Sequence, residues 1–389
     1  MKRAILLTGH FPHQLRKPSM LWIAEHLQTM GWHVTLATVG YSRLSQLRRD
    51  PRLTALPSPP NPGQKALSAS LSHVFALPLA HPIKTRNTAL NRLSEALLPH
   101  VLHHWERRLA PHLPGADLIL CESGPSTLLA PILARHAPHA PRIFRVNDDI
   151  RLLNAPDALI RAEQQHAPLF TRISTASPHI ARRFASHPNV TLDPMGIPHA
   201  EIKVANSDLF EHSHPVAVCE GTTQIDMAAL ARIADDCPHW QIHVLGRLRQ
   251  TPPQRPNITW HGEQSFQTTL DHIASADIGL APYTDAPGIE YQSTNSNRIL
   301  LYRHFGLPIL GPDRLCHPSA PSIIGYSDPD ALFRCETWIR QPEPIPDWSE
   351  LAEKLAQNGV TEPPRDVTTD PFTTVKSRVK TVPALASNA

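Results

Sequence analysis

Glycine is scarce in this chain, 16 residues of 389 against 41 prolines, which departs from ordinary usage and points to many stiff loops. Cysteine is scarce too. Cys121, Cys219, Cys237, Cys316 and Cys335 are far apart, odd in number and without a CxxC pair. That spacing suggests neither a disulfide framework nor a thiolate zinc site, and it fits a reducing compartment. No stretch approaches the roughly 20 consecutive apolar residues that span a bilayer. The apolar run near the N-terminus is too short for a signal h-region; it ends in Thr8-Gly9-His10 and reads as a first strand. A net charge of only +3 gives no bulk reason to bind nucleic acid. The 24 histidines are scattered along the chain, and no metal is expected.

What is present is a chain that is 41% hydrophobic and long enough for two cores. Residues 277–308 form its most informative stretch. Residues 277–281 read as a buried strand, 282–294 as a turn-rich loop, and 295–304 have helical spacing before Phe305-Gly306-Leu307-Pro308. In an open α/β domain that order aims a helix N-terminus into the crevice at the carboxyl end of a parallel strand. Anions suit such a place, because free N–H groups and the positive end of the helix dipole meet there. Arg298 adds a full charge, and the polar run 293–297, Asn297 included, offers capping groups. A phosphate or diphosphate site is expected; an ordinary surface arginine is the competing reading.

The remaining segments alternate between strand and helix. Residues 4–8, 19–30 and 33–38 make a βαβ opening, and strands at 117–122, 142–146, 173–175 and 190–192 alternate with helices. An amphipathic helix at 87–113 is interrupted by Pro99, which should kink or split it. Its Arg92, Arg107 and Arg108, with Trp105 and the basic segment 41–52, suit either docking on the domain or a face for anionic lipid. The polar stretch up to Pro215 reads as a linker, after which alternation restarts with strands at 216–219, 240–245 and 258–261. Two doubly wound parallel-sheet domains follow from that pattern. The expected division is 1–200, a linker at 201–214, 215–345, then a C-terminal helix and loose tail at 346–389.

Two such domains facing a cleft would set Asp148, at the end of the strand 142–146, opposite the anion site. A carboxylate there suits a general base that takes a proton from an incoming hydroxyl. A helix cap, or an ion pair with Arg145 or Arg151, explains Asp148 equally well from spacing alone. Glu263 and Tyr283 are expected as loop residues at the rim, able to bind a sugar hydroxyl or simply to pack. Many retaining glycosyltransferases of this plan carry two glutamates at the donor helix; here Glu290 takes the first place and Arg298 the second, which weakens a retaining reading.

Across residues 4–310 the chain resembles the bacterial xanthan-type β-glucuronosyltransferases, inverting enzymes of the GT-B fold. The resemblance rests on the order and spacing of YSRLS at 41–45, ESG at 122–124, FRVND at 144–148, GE at 262–263, APY at 281–283 and FGLP at 305–308. It implies transfer of glucuronic acid from UDP-glucuronate to a polyprenyl-diphosphate-linked oligosaccharide in exopolysaccharide synthesis, with no metal or cofactor. It makes Asp148 the catalytic base and puts Thr223, Glu263, Tyr283, Asn297 and Arg298 at the donor, with His10, Glu122 and Ser123 on the acceptor side of the cleft. Arg298 stands where that family has lysine, and Thr223 where it has methionine. Peripheral association with the inner face of the cytoplasmic membrane and no nucleic-acid partner are also implied. Two other readings of the scaffold are a nucleotide-sugar 2-epimerase and a non-catalytic UDP-sugar-binding assembly protein.

Overall fold

The computed structural model describes residues 1–357 except 13–16, 55, 57–61, 212, 249–251 and 319. Arg16, residues 57–61 of the proline-rich segment and the C-terminal tail lie outside the described residues.

The first sheet contains β1 (Arg3–Thr8), β2 (His33–Thr38), β3 (Gly63–Ala66), β4 (Leu71–Phe75), β5 (Leu118–Glu122), β6 (Arg142–Val146), β7 (Arg172–Thr175) and β8 (Val190–Leu192). Its order is β3-β4-β2-β1-β5-β6-β7-β8, parallel throughout except that β3 runs antiparallel to β4. The second holds β9 (Val216–Glu220), β10 (Gln241–Leu245), β11 (Ile258–Gly262), β12 (Ile278–Leu280), β13 (Ile309–Gly311) and β14 (Ile323–Gly325). Its order is β11-β10-β9-β12-β13-β14, all parallel. Central strands such as Leu118–Glu122 and Ile278–Leu280 are buried at every residue, as strands covered by helices on both faces must be. The strand order reverses between β1 and β5 in one sheet and between β9 and β12 in the other. Ligand crevices open at such points, beyond the carboxyl ends of the strands.

Pro99 splits the long amphipathic segment into helices Thr88–Ala96 and Leu98–Leu109. The break costs little, because the proline sits in the first turn of the second helix, where its missing N–H would have no partner. Asn87 caps the first helix by accepting from the Ala89 and Leu90 amides at 3.0 and 3.2 Å. Trp105 is not part of a basic and aromatic surface. It is 1% exposed, packed inward with Val101 and Leu109, because all three share the apolar face of their helix.

The C-terminal helix Trp348–Ala356 returns to the first domain and packs on helix Ser19–Thr29, burying Trp348, Leu351 and Leu355. Asp347 starts it with a reciprocal capping box, its carboxylate accepting from the Ser349 amide at 2.9 Å while Glu350 accepts from its own amide at 3.0 Å. The same carboxylate accepts from the His199 amide at 3.0 Å, and Ile197 pairs with the incoming chain by donating to the Pro346 carbonyl at 2.9 Å. Gly196 makes this approach possible: a Cβ there would stand 2.7 Å from the Trp348 nitrogen. Backbone cannot swing aside as a side chain can, so Gly196→Ala should destabilise the protein by about 1–3 kcal/mol. A urea midpoint unchanged by the substitution would show that the junction yields freely.

Candidate active site

On the first domain the site grows from the ends of β1, β5 and β6. Thr8, the last residue of β1, donates to Glu122 Oε2 at 2.5 Å across the sheet reversal. Asn147 donates to Glu122 Oε1 at 3.1 Å and to Ser19 Oγ at 2.9 Å. Beneath them Arg145 is fully buried and spends its guanidinium on Asn147 Oδ1, Ser174 Oγ and the Asp193 carbonyl at 2.8, 2.9 and 2.6 Å. Burial pushes it down to about 10, against the pull of Asp193, yet it stays charged at neutral pH. His10 and Ser123 lie half-buried at the same rim, the His10 amide donating to Thr8 Oγ1 at 3.2 Å and the Ser123 amide to the Arg145 carbonyl at 2.9 Å.

Asp148 and Asp149 part company here. Asp149 is buried and takes the ion pairs, with Arg151 at 2.5 Å and Arg183 at 3.2 Å. The pairing with Arg151 that spacing allowed for Asp148 therefore belongs to its neighbour, and Arg145 is committed elsewhere. Asp148 instead accepts, through Oδ1 alone, a hydrogen bond of 3.2 Å from the Tyr291 hydroxyl of the second domain. Desolvation pushes Asp148 up to about 6; the Tyr291 bond opposes that rise, Glu122 adds to it, His10 opposes it and Asp149 adds to it. A carboxyl with that affinity is mostly ionised at neutral pH and accepts a proton more readily than an ordinary aspartate.

Tyr291 belongs to a wedge that the second domain pushes against the first. Gln292 donates to the Tyr291 hydroxyl at 2.7 Å and to Gln224 at 3.3 Å, and Gln224 donates to the Leu152 carbonyl at 3.2 Å. Asn295 donates to the Asn147 carbonyl, leaving its own buried Oδ1 without a partner. Gly288 admits this approach with a left-handed φ of 95°, and a Cβ there would lie 3.2 Å from Leu152 Cδ1. Sequence reasoning missed Tyr291, Gln292 and Asn295. Tyr291 and Gln292 fall in the stretch read as a turn-rich loop, and Asn295 in the polar run read as capping groups.

The expected single helix at 295–304 is two pieces, Gln292–Asn295 and Asn297–His304, separated by Ser296 in an extended conformation that lets its Oγ accept from the Ile299 amide at 3.5 Å. Tyr283 is not a rim residue. It is 5% exposed and its hydroxyl shares a 2.5 Å hydrogen bond with Ser296 Oγ, under the helix start. Arg298 also differs from expectation, being 3% exposed rather than reaching outward. It donates to the Glu220 carbonyl and, at 2.6 Å, to the Gly221 carbonyl, with its guanidinium 4.7 Å over the Tyr283 ring. Gly221, with φ of 75°, keeps clear the place where a Cβ would meet Arg298 Nη2 at 3.3 Å. Arg298 therefore supports the turn after β9 from below, and its buried Nη1 has no hydrogen-bond partner. Thr223, Glu263 and Asn297 are exposed, on the turn after β9, beyond β11 and at the helix start respectively.

Residues 6–176 match the family described as glucuronosyltransferase GumK, N-terminal domain. The UDP-glucuronate:glycolipid 2-beta-glucuronosyltransferase of Xanthomonas campestris pv. campestris is 26% identical over 334 residues, 84% of this chain and 80% of that protein. The chain is similar in sequence to these glucuronosyltransferases. Among solved structures, a UDP-forming α,α-trehalose-phosphate synthase from Burkholderia vietnamiensis and the trehalose-6-phosphate synthase OtsA each superpose with a TM-score of 0.60 at 11% identity, covering 91% of this chain and 94% of theirs. At that identity they show the fold alone, and the fold is GT-B.

If Tyr291 tunes Asp148 as its hydrogen bond indicates, Tyr291→Phe removes a donor that favours the ionised carboxyl. The Asp148 carboxyl should then titrate above about 6, seen as an upward-shifted midpoint in carboxyl carbon NMR of selectively labelled protein. A midpoint that stays put or falls would remove Tyr291 from that role.

Proposed function

We propose that this chain is an inverting glucuronosyltransferase that carries glucuronic acid from UDP-glucuronate to a saccharide held on a polyprenyl diphosphate. Asp148 carries the reading: a carboxylate free of arginine partners, raised to about 6, in the domain that matches the GumK family and facing the other domain across the cleft. The acceptor hydroxyl gives its proton to Asp148 while its oxygen attacks the anomeric carbon in line. The bond from that carbon to the diphosphate oxygen breaks, and UDP leaves with the electron pair. An α-linked donor thus yields a β-linked product.

The leaving diphosphate would lie against the turn after β9 and the start of helix Asn297–His304, where Ser296 ends the preceding turn and backbone N–H groups converge. Arg298 serves this site from beneath: it fixes the turn by its carbonyls and supplies positive charge at short range. In this reading the exposed Thr223, Glu263 and Asn297 meet the nucleotide sugar, and His10, Glu122 and Ser123 line the acceptor side. The epimerase alternative finds no support among the relatives, whose curated member is a glycolipid glucuronosyltransferase.

The acceptor is lipid-linked in this reading, so the enzyme must approach a membrane surface, and no described helix is long and apolar enough to cross one. The first domain offers a suitable face. Leu47, Leu79, Leu90 and Leu93 are exposed alongside Arg43, Arg48, Arg49 and Arg92. Backbone hydrogen bonds from Arg43 and Leu44 to the Pro78 and Leu79 carbonyls bring two of these segments together. Exposed leucines among arginines suit insertion at an anionic interface on the cytoplasmic side. Replacing Leu90 and Leu93 together with Asp should cut co-sedimentation with vesicles rich in anionic lipid several-fold and leave UDP affinity unchanged; undiminished co-sedimentation would place the contact elsewhere.

Calorimetry against UDP, UDP-glucose and UDP-glucuronate without added metal tests the donor. UDP-glucuronate should bind best, Asp148→Asn should abolish transfer while keeping UDP affinity, and Arg298→Ala should weaken UDP roughly ten- to hundredfold, as lost charge-assisted hydrogen bonds imply. Better binding of UDP-glucose would move the donor assignment, and loss of UDP binding in Asp148→Asn would return that residue to structure.

A further inference from the structure

Among the described residues, three histidines that are scattered in sequence converge in the second domain. His243 on β10, His261 on β11 and His272 on helix Phe266–Ser275 bring their ring nitrogens within 4.8 Å of one another. His243 Nδ1 and His261 Nε2 are 2.9 Å apart, with the two rings stacked at 5.1 Å and the His272 ring edge-on to His261 at 4.8 Å. We propose that these three imidazoles form a binding site for a divalent transition cation of the Zn2+ class, joining the outer strands of the second sheet to the helix that covers them.

Local structure supports each ligand. Register along β10 and β11 slips at His261, since Val244 pairs with Trp260 but Leu245 pairs with Gly262. An extra residue of this kind re-aims a side chain, and here it sets His261 beside His243. His272 lies on the helix face that packs on the sheet, and its Nδ1 donates to the Thr268 carbonyl at 2.7 Å. That bond fixes the tautomer and leaves Nε2 as a lone pair, the arrangement by which backbone carbonyls orient metal-ligating histidines. Phe210, from the segment joining the domains, covers the cluster at 4.4 Å from the His243 ring and 5.5 Å from His272. Burial, with the two neighbouring imidazoles, pushes His243 down to about 4, so its ring is neutral under physiological conditions.

Imidazole nitrogens suit Zn2+, Ni2+, Co2+ or Cu2+ and not the oxygen-seeking Mg2+ or Ca2+. A tetrahedral ion held at roughly 2.0–2.1 Å needs its nitrogens about 3.3 Å apart. Separations of 2.9 Å to at most 4.8 Å reach that value by small side-chain rotations. Binding consumes no net proton: the hydrogen between His243 and His261 moves to the other nitrogen of its own ring. Three ligands leave a position for water. The role is a structural tie, and because Glu263 follows His261 by two residues, the tie also braces the end of β11 that carries a donor-side residue.

The test is a Co2+ titration of the full chain, without a histidine tag and stripped by chelator, followed by visible absorption. One equivalent should give the d–d bands of a low-coordinate ion, and Zn2+ should displace it and raise the thermal midpoint by several degrees. His261→Gln, at a half-buried position that tolerates the change, should weaken Co2+ binding at least about tenfold, whereas His103→Gln on the exposed helix surface should not. Absence of the bands, or bands that survive both His261→Gln and His243→Gln with folding verified by circular dichroism, would overturn the site.

Discussion

A short polar seam ties the two domains together at the cleft, over the apolar cluster they share. Tyr291 and Asn295 cross from the second domain to Asp148 and the Asn147 carbonyl, while Gln224 reaches the Leu152 carbonyl beside them. Asp148 has its raised affinity for a proton because protein closes around it, and part of that protein is the other domain. A carboxylate on the same strand end in an isolated first domain would be better solvated and less basic. The helix Trp348–Ala356 secures the arrangement from behind, since it follows the second domain in sequence yet buries its apolar face on the first.

A second constraint lies inside the second domain. Arg298 is a buried cation, and such a charge persists only where dipoles or counter-charges replace water. The Glu220 and Gly221 carbonyls and the Tyr283 ring do so, which makes a residue that reads as a ligand-gripping side chain into the support of the turn after β9. Tyr283 and Ser296 continue the same network to the helix start. The positive charge still acts on the turn after β9, because low-dielectric surroundings screen it less than water would.

Much of the fold was legible in the sequence, since strands buried on both faces announce themselves as apolar runs and helices as three- and four-residue spacings. β5, β6, β9 and β10 were read this way to within a residue or two. β3 and β4 were not: Gly63–Ala66 is a short polar edge strand, and Leu71–Phe75 interleaves Ser72 and His73 with its apolar residues. β14 is three residues long and helix Ala331–Glu336 six, too short for periodicity to register. Of the site, Asp148 and the strand ends were visible, while Tyr291, Gln292 and Asn295 were not, because they act on the opposite domain.

The sequence by itself determined the alternation of strands and helices, the break at Pro99, the carboxylate pair after β6 and the polar run before helix Asn297–His304, all of which depend on neighbours a few residues apart. Only the tertiary structure decided which aspartate keeps its charge free, whether Arg298 and Tyr283 face ligand or core, where Trp105 hides and which histidines meet. Each of those outcomes turns on desolvation and partners separated by tens or hundreds of residues, and local spacing carries no record of them.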